Sequence, residues 1–85
     1  MTVHELKCWP CYFEDVLSGL KTFEVRKDDR GFYVDDILRL REFDIGTGTY
    51  TGRECLNKVI YLMRGGCAET PSFDGYVIMS IVEVK

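Results

Sequence analysis

Apolar residues follow a helical spacing in one stretch of the chain and an alternating spacing in most of the rest. Residues 2–8 read as a short first strand. Pro10 then suits the first turn of a helix, where its missing amide hydrogen leaves no bond unmade. Phe13, Val16, Leu17 and Leu20 keep the i, i+3, i+4, i+7 spacing of one buried helical face, and Gly19 is placed to end it. The pattern predicts one helix of about ten residues.

After that helix the period changes to two. In "KTFEVR" the apolar Phe23 and Val25 alternate with Thr22, Glu24 and Arg26, which predicts a strand with Phe23 and Val25 in the core and the other three on one polar face. "DDRGFYVDD" reads as a loop hinged at Gly31. "ILRLREF" alternates again, with Leu38 and Leu40 opposite Arg39 and Arg41, and "DIGTG" has the turn chemistry of a hairpin. A long return strand follows from Tyr50 to Met63, whose "KVIYLM" segment is expected to be buried on both faces. "RGGCAETPSFDG" reads as a surface loop, and the β-branched "YVIMSIVEVK" as a central strand. One helix and about five strands predict an α+β, mostly β fold. A curved or closed small barrel is favoured, since closure removes exposed strand edges.

Eighty-five residues suffice for one hydrophobic core, so residues 1–85 are expected to form a single domain, as a monomer or a weak dimer. No apolar run approaches the roughly 20 residues of a membrane-spanning helix, and "MTVHELK" has no secretion-signal character, so a cytoplasmic protein without membrane contact is expected. A net charge of −3 removes the general attraction behind non-specific nucleic-acid binding. Any such binding must use a local patch.

The cysteine pair in "KCWPC" raises two chemical readings. A zinc site would need Cys8 and Cys11 completed by two of Cys55, Cys67 and His4, yet no second C-x-x-C or H-x-x-x-H follows. A redox pair fits a helix N-terminus, but nothing after Leu20 supplies the crossover helix of a thioredoxin-like framework. The cysteines therefore read as small, partly buried apolar residues, and no metal or cofactor is expected.

The densest charge lies in "KTFEVRKDDR", where Lys21, Arg26, Lys27 and Arg30 face Glu24, Asp28 and Asp29. By charge alone this is a solvated, salt-bridged edge. Position argues for more, because the helix end, Lys21 and the Glu24/Arg26 strand face converge on one small volume. "YTGR", residues 50–53, adds a hydroxyl, a glycine that lets a ligand approach the backbone, and an arginine fork suited to phosphate or a base edge.

"HELKCWPCYFEDVLSGLKTFEVRKDDRGFYVDDILRLREFD", with "YTGR" and a closing "GYVIMSI", resembles the small DUF3850 branch of the ASCH domains in the PUA-like superfamily. The resemblance implies a PUA-like barrel with a helix against its mouth and a cleft associated with RNA or modified nucleotides. It selects Lys7, Pro10, Gly19, Lys21, Glu24, Arg26, Asp29, Arg30, Tyr50, Thr51, Gly52 and Arg53. The chain departs from the pattern where Asp28-Asp29-Arg30 stands for N-D-R and where Asp35-Asp36 stands for a glycine-aspartate pair. Related amidohydrolases of N4-acetylcytidine carry G-x-K-x-x-T-x-R; Gly19, Lys21 and Arg26 fit, but Glu24 takes the place of the nucleophilic threonine.

Two functions follow. In the first, the domain binds RNA, single-stranded by preference, or a modified nucleoside or nucleotide. Lys21, Arg26, Arg30 and Arg53 would hold phosphate or base edges, Glu24 would accept from base amino groups, and Tyr50 or Trp9 would stack on a ring. In the second, the domain is a small hydrolase of a modified nucleoside, with Glu24 and Lys21 as acid and base and Thr22 or Thr51 as reserve hydroxyls. The missing threonine favours binding. A protein–protein adaptor is a third reading.

Overall fold

The computed structural model describes residues 1–66 and 71–84. Five strands and one short helix account for most of them: β1 (Val3–Cys8), α1 (Pro10–Leu17), β2 (Phe23–Lys27), β3 (Ile37–Asp44), β4 (Thr49–Arg64) and β5 (Tyr76–Glu83). A single 3-10 turn, Pro71–Phe73, precedes β5. The expected loop of residues 64–75 therefore falls partly outside the described residues.

The strands form one sheet in the order β1-β3-β4-β5-β2. All the pairings are antiparallel except β1 with β3, which run parallel because α1, β2 and the following loop carry the chain between them. The concave side is built by alternation: Leu6 and Cys8 on β1, Leu38 and Leu40 on β3, and Val77, Met79 and Ile81 on β5 are all buried. Phe13 and Val16 of α1, with Phe32 from the loop, complete this core.

The expectation of a curved or closed barrel is met as a curled half-barrel. β1 and β2 end the strand order and share no backbone ladder. Guanidinium groups cross that seam instead: Arg26 Nη2 donates to the Lys7 carbonyl at 2.8 Å and Arg30 Nη1 to the Glu5 carbonyl at 3.0 Å. These side chains occupy carbonyls that would otherwise offer an edge to another chain.

Four local expectations change. The helix is eight residues long, and of its predicted face only Phe13 and Val16 are buried, while Leu17 and Leu20 are exposed. Gly19, at φ +81°, has already turned the chain away before Leu20 can reach the core. The phase of β2 is inverted: Glu24 is buried and Phe23 and Val25 lie half exposed, because two cations accompany the carboxylate inward. "KVIYLM" is not buried on both faces either. A bulge between Val59 and Tyr61 leaves Ile60 and Tyr61 exposed, and it brings Val59 and Leu62 both against the core. The apolar run records a shift of phase. Lastly, β5 is an inner strand between β4 and β2, while the middle position belongs to β4.

Candidate functional site

A pocket of about 550 Å³ lies at the open seam between β1 and β2. Lys7 and Cys8 end β1, Trp9 and Tyr12 come from the start of α1, and Lys21, Phe23, Glu24, Val25 and Arg26 form the opposite wall. The sequence builds it locally. Pro10 starts the helix immediately after β1, which leaves Trp9 in an extended conformation at the rim. At the other end of α1 the Lys21 amide donates to the Asp15 carbonyl at 2.9 Å, and the Ile81 amide donates to the Thr22 carbonyl at 3.0 Å. Those bonds set Lys21 and the start of β2 against the helix end.

Glu24 organises the polar part of the pocket. Its side chain is only 4% exposed, and each oxygen accepts one charged bond: Lys21 Nζ to Oε1 at 2.7 Å and Arg26 Nε to Oε2 at 2.9 Å. Lys21 also donates to the Phe23 carbonyl at 2.7 Å. Burial of a carboxylate is tolerated when such partners accompany it. Lys7, Lys21 and Arg26 against Glu24 leave the pocket lining with a net charge of +2, in a chain whose net charge is −3.

The remaining walls are apolar. Trp9, Tyr12 and Phe23 are all at least two-fifths exposed. The Lys21 ammonium lies 5.0 Å from the Phe23 ring centre and 5.7 Å from that of Tyr12. Behind Trp9, Phe43 packs at 6.0 Å, and the Lys7 ammonium stands 4.4 Å above the Phe43 ring. Cys8 is buried, and burial, aided by the Glu24 charge, pushes its thiol up to about 11. A redox-active thiol at a helix N-terminus requires the opposite displacement.

Lys7, Lys21, Glu24 and Arg26 are thus brought together. Trp9, named in the sequence as a stacking residue, joins them in the lining, whereas Asp29, Arg30, Tyr50, Thr51 and Arg53 lie outside it. Arg53 grips Glu42 with two bonds of 3.0 and 3.1 Å, contacts Glu14 of α1, and lies 5.0 Å from the Phe13 ring. Thr51 donates to the same Glu42 at 2.7 Å. The bonds from Arg53 and then Thr51 hold the Glu42 carboxyl below its ordinary value, and the cluster ties the β3–β4 hairpin to the helix. Tyr50 stacks under Arg41 and edge-on to Phe43, one ring removed from Trp9. Arg30 closes the seam, and Asp29 is exposed, 4.0 Å from Arg30. The additional acid Asp28 pairs with Arg64, so its charge is compensated on β4.

Sequence reading missed Tyr12, Cys8, Phe23 and Val25 as pocket residues. Tyr12 carried a usable signal, an aromatic residue on the polar side of an amphipathic helix beside Trp9. Phe23 and Val25 were hidden by the assumption that apolar strand residues point inward.

Among the described residues no group of three or more His, Cys, Asp or Glu side chains could hold a metal ion. No described helix is long and apolar enough to cross a membrane.

An uncharacterized 12.9 kDa protein in the GpA 3′ region of Escherichia phage P2 is 42% identical over 52 residues, covering 61% of this chain and 46% of the phage protein. The chain thus matches about half the length of that relative. The pattern described as "Domain of unknown function (DUF3850)" matches residues 3–81, which include every strand except the last two residues of β5. The chain therefore belongs to the DUF3850 family.

Proposed function

We propose that this domain binds a nucleotide unit, as a free nucleoside or nucleotide or within single-stranded RNA, by taking the base into the pocket at the β1–β2 seam. One observation carries the reading: a buried carboxylate, Glu24, is clasped by Lys21 and Arg26 inside a pocket rimmed by three exposed aromatic rings. Exposed aromatics beside fixed donors and acceptors suit an unpaired base, which offers a ring face and a polar edge together. Glu24 would accept from a base amino group, Lys21 and Arg26 would donate to ring or carbonyl acceptors, and Trp9, Tyr12 or Phe23 would supply the stacking surface. The curled five-stranded sheet with one early helix supports placing the chain among the ASCH domains of the PUA-like superfamily, where such a cleft is expected.

A hydrolase of a modified nucleoside would use Glu24 and Lys21 as acid and base. Both Glu24 oxygens already accept bonds from cations, and the nucleophilic threonine of the related amidohydrolases is absent, which favours recognition over turnover.

Trp9 is the chain's single tryptophan and lines the pocket, so its fluorescence reports the site directly. Titration with nucleosides, N4-acetylcytidine, nucleotides and short single-stranded RNAs should quench or shift it saturably, with the ligand recovered unchanged. Trp9→Ala, followed by amide NMR, should weaken binding by roughly tenfold or more, the scale of one lost base stack. Recovery of a deacylated product would move the assignment to the hydrolase. No response from any of these ligands would refute the nucleotide reading.

A further inference from the structure

We infer that the pocket requires a phosphate on its ligand, held by Lys7 with Arg26, so that it selects nucleotides over nucleosides. This rests on the nucleotide reading above and narrows it. Of the ten described lysines and arginines, eight have a carboxylate oxygen within 4.0 Å. Lys7 and Lys27 are the two that do not, and of these Lys7 lines the pocket. Its ammonium stands over Phe43, an arrangement that orients the charge without neutralising it.

Arg26 is the neighbour that completes the anion site. Its Nη2 donates to the Lys7 carbonyl at 2.8 Å, so the guanidinium sits at the Lys7 backbone, while its Nε is committed to Glu24. Its Nη1 makes no hydrogen bond among the described residues, leaving one arm of the fork for a ligand oxygen. The pocket thereby carries charge of both signs. Glu24 is its one carboxylate and serves a hydrogen-bond donor, while Lys7 and Arg26 both line the pocket, with the Arg26 guanidinium at the Lys7 backbone. A neutral nucleoside would leave those two cations unmatched. A phosphate monoester or a backbone phosphodiester supplies the same oxygens, and the choice between them is a matter of what extends past the rim.

The test is a Trp9 fluorescence titration comparing the four common nucleosides with their 5′- and 3′-monophosphates and with unphosphorylated dinucleotides. Each is run at two salt concentrations, in the parent, Lys7→Ala and Lys27→Ala proteins. Monophosphates or dinucleotides should bind at least about tenfold more tightly than nucleosides. Lys7→Ala should abolish most of that advantage and weaken its dependence on salt, while Lys27→Ala leaves both unchanged. Preference for monophosphates identifies a free nucleotide, and preference for dinucleotides a strand. Equal affinity for nucleosides and nucleotides would overturn the phosphate site and leave the base pocket standing. Equal losses in the two lysine variants would overturn it too, by reducing it to general attraction. No binding by any ligand would overturn both.

Discussion

Replacing Glu24 by glutamine tests the central feature of the pocket without changing its shape. The carboxylate side chain is 4% exposed and accepts one bond on each oxygen, from Lys21 at 2.7 Å and Arg26 at 2.9 Å. A glutamine can present its carbonyl oxygen to only one of these cations, and its amide hydrogens must then face the other's N–H groups. Breaking a buried ion pair by removing one partner costs about 3–5 kcal/mol when the remaining charge stays buried. Here the stranded cations are 16% and 26% exposed, so water relieves part of that penalty. The expected loss is about 2–3 kcal/mol, in the range of the charged hydrogen bonds removed. For a domain of this size such a loss lowers the melting temperature by roughly 8–20 °C. Thermal unfolding followed by circular dichroism measures it, and Lys21→Met completes a double-mutant cycle. That variant alone should cost less, because Arg26 still serves Glu24, and the pair combined should cost less than the sum of the two. A Glu24→Gln melt within about 3 °C of the parent, or strict additivity, would refute the reading that paired cations hold the buried Glu24 carboxylate in place.

Further outcomes follow from other parts of the structure. Asp35 sits at φ +78°, where glycine is at ease and a β-branched residue is not, so Asp35→Gly should raise the melting temperature by a few degrees and Asp35→Val should lower it. Opposite signs are the test, because the exposed Lys58 partner is lost in both variants. Cys11 is exposed while the Cys8 thiol is pushed up to about 11, so at pH 8 a disulfide reagent followed by peptide mass mapping should modify Cys11 before Cys8 and leave Cys8 largely unmodified. Asp36 is buried, which alone would raise its carboxyl. Bonds from His4, Thr2 and Tyr33 outweigh that effect and hold it below its ordinary value of 3.8. A carboxyl depressed in the folded state contributes stability above its unfolded value and loses it as pH falls through the folded one. Denaturation by urea should therefore become easier below about pH 4, and Asp36→Asn should be weaker at pH 7 with a shallower acid decline.

The strands and the helix start were legible because they rest on local physics. Alternation in "ILRLREF" put Leu38 and Leu40 inward, Pro10 began the helix, and "DIGTG" turned the hairpin, all without reference to distant residues. The convergence of Lys21, Glu24 and Arg26 was also visible, since spacing on one strand after a glycine-ended helix already brings them near one another. What sequence pattern could not settle was which way each marginal residue faces. Glu24 goes inward because Lys21 and Arg26 follow it there, and Phe23 goes outward because a strand offers only two sides. The β4 bulge, one extra residue, turns an apparently two-faced apolar run into a change of phase. Arg53 was read as a ligand fork, but the fold gives it Glu42 and Glu14 from two other elements. The pocket itself exists because β1 and β2 end the strand order without a ladder between them. The composition and periodicity of this chain determined its elements. Partners distant in sequence decided where charge is buried and where the sheet stays open, because pairing and desolvation depend on neighbours that only folding brings together.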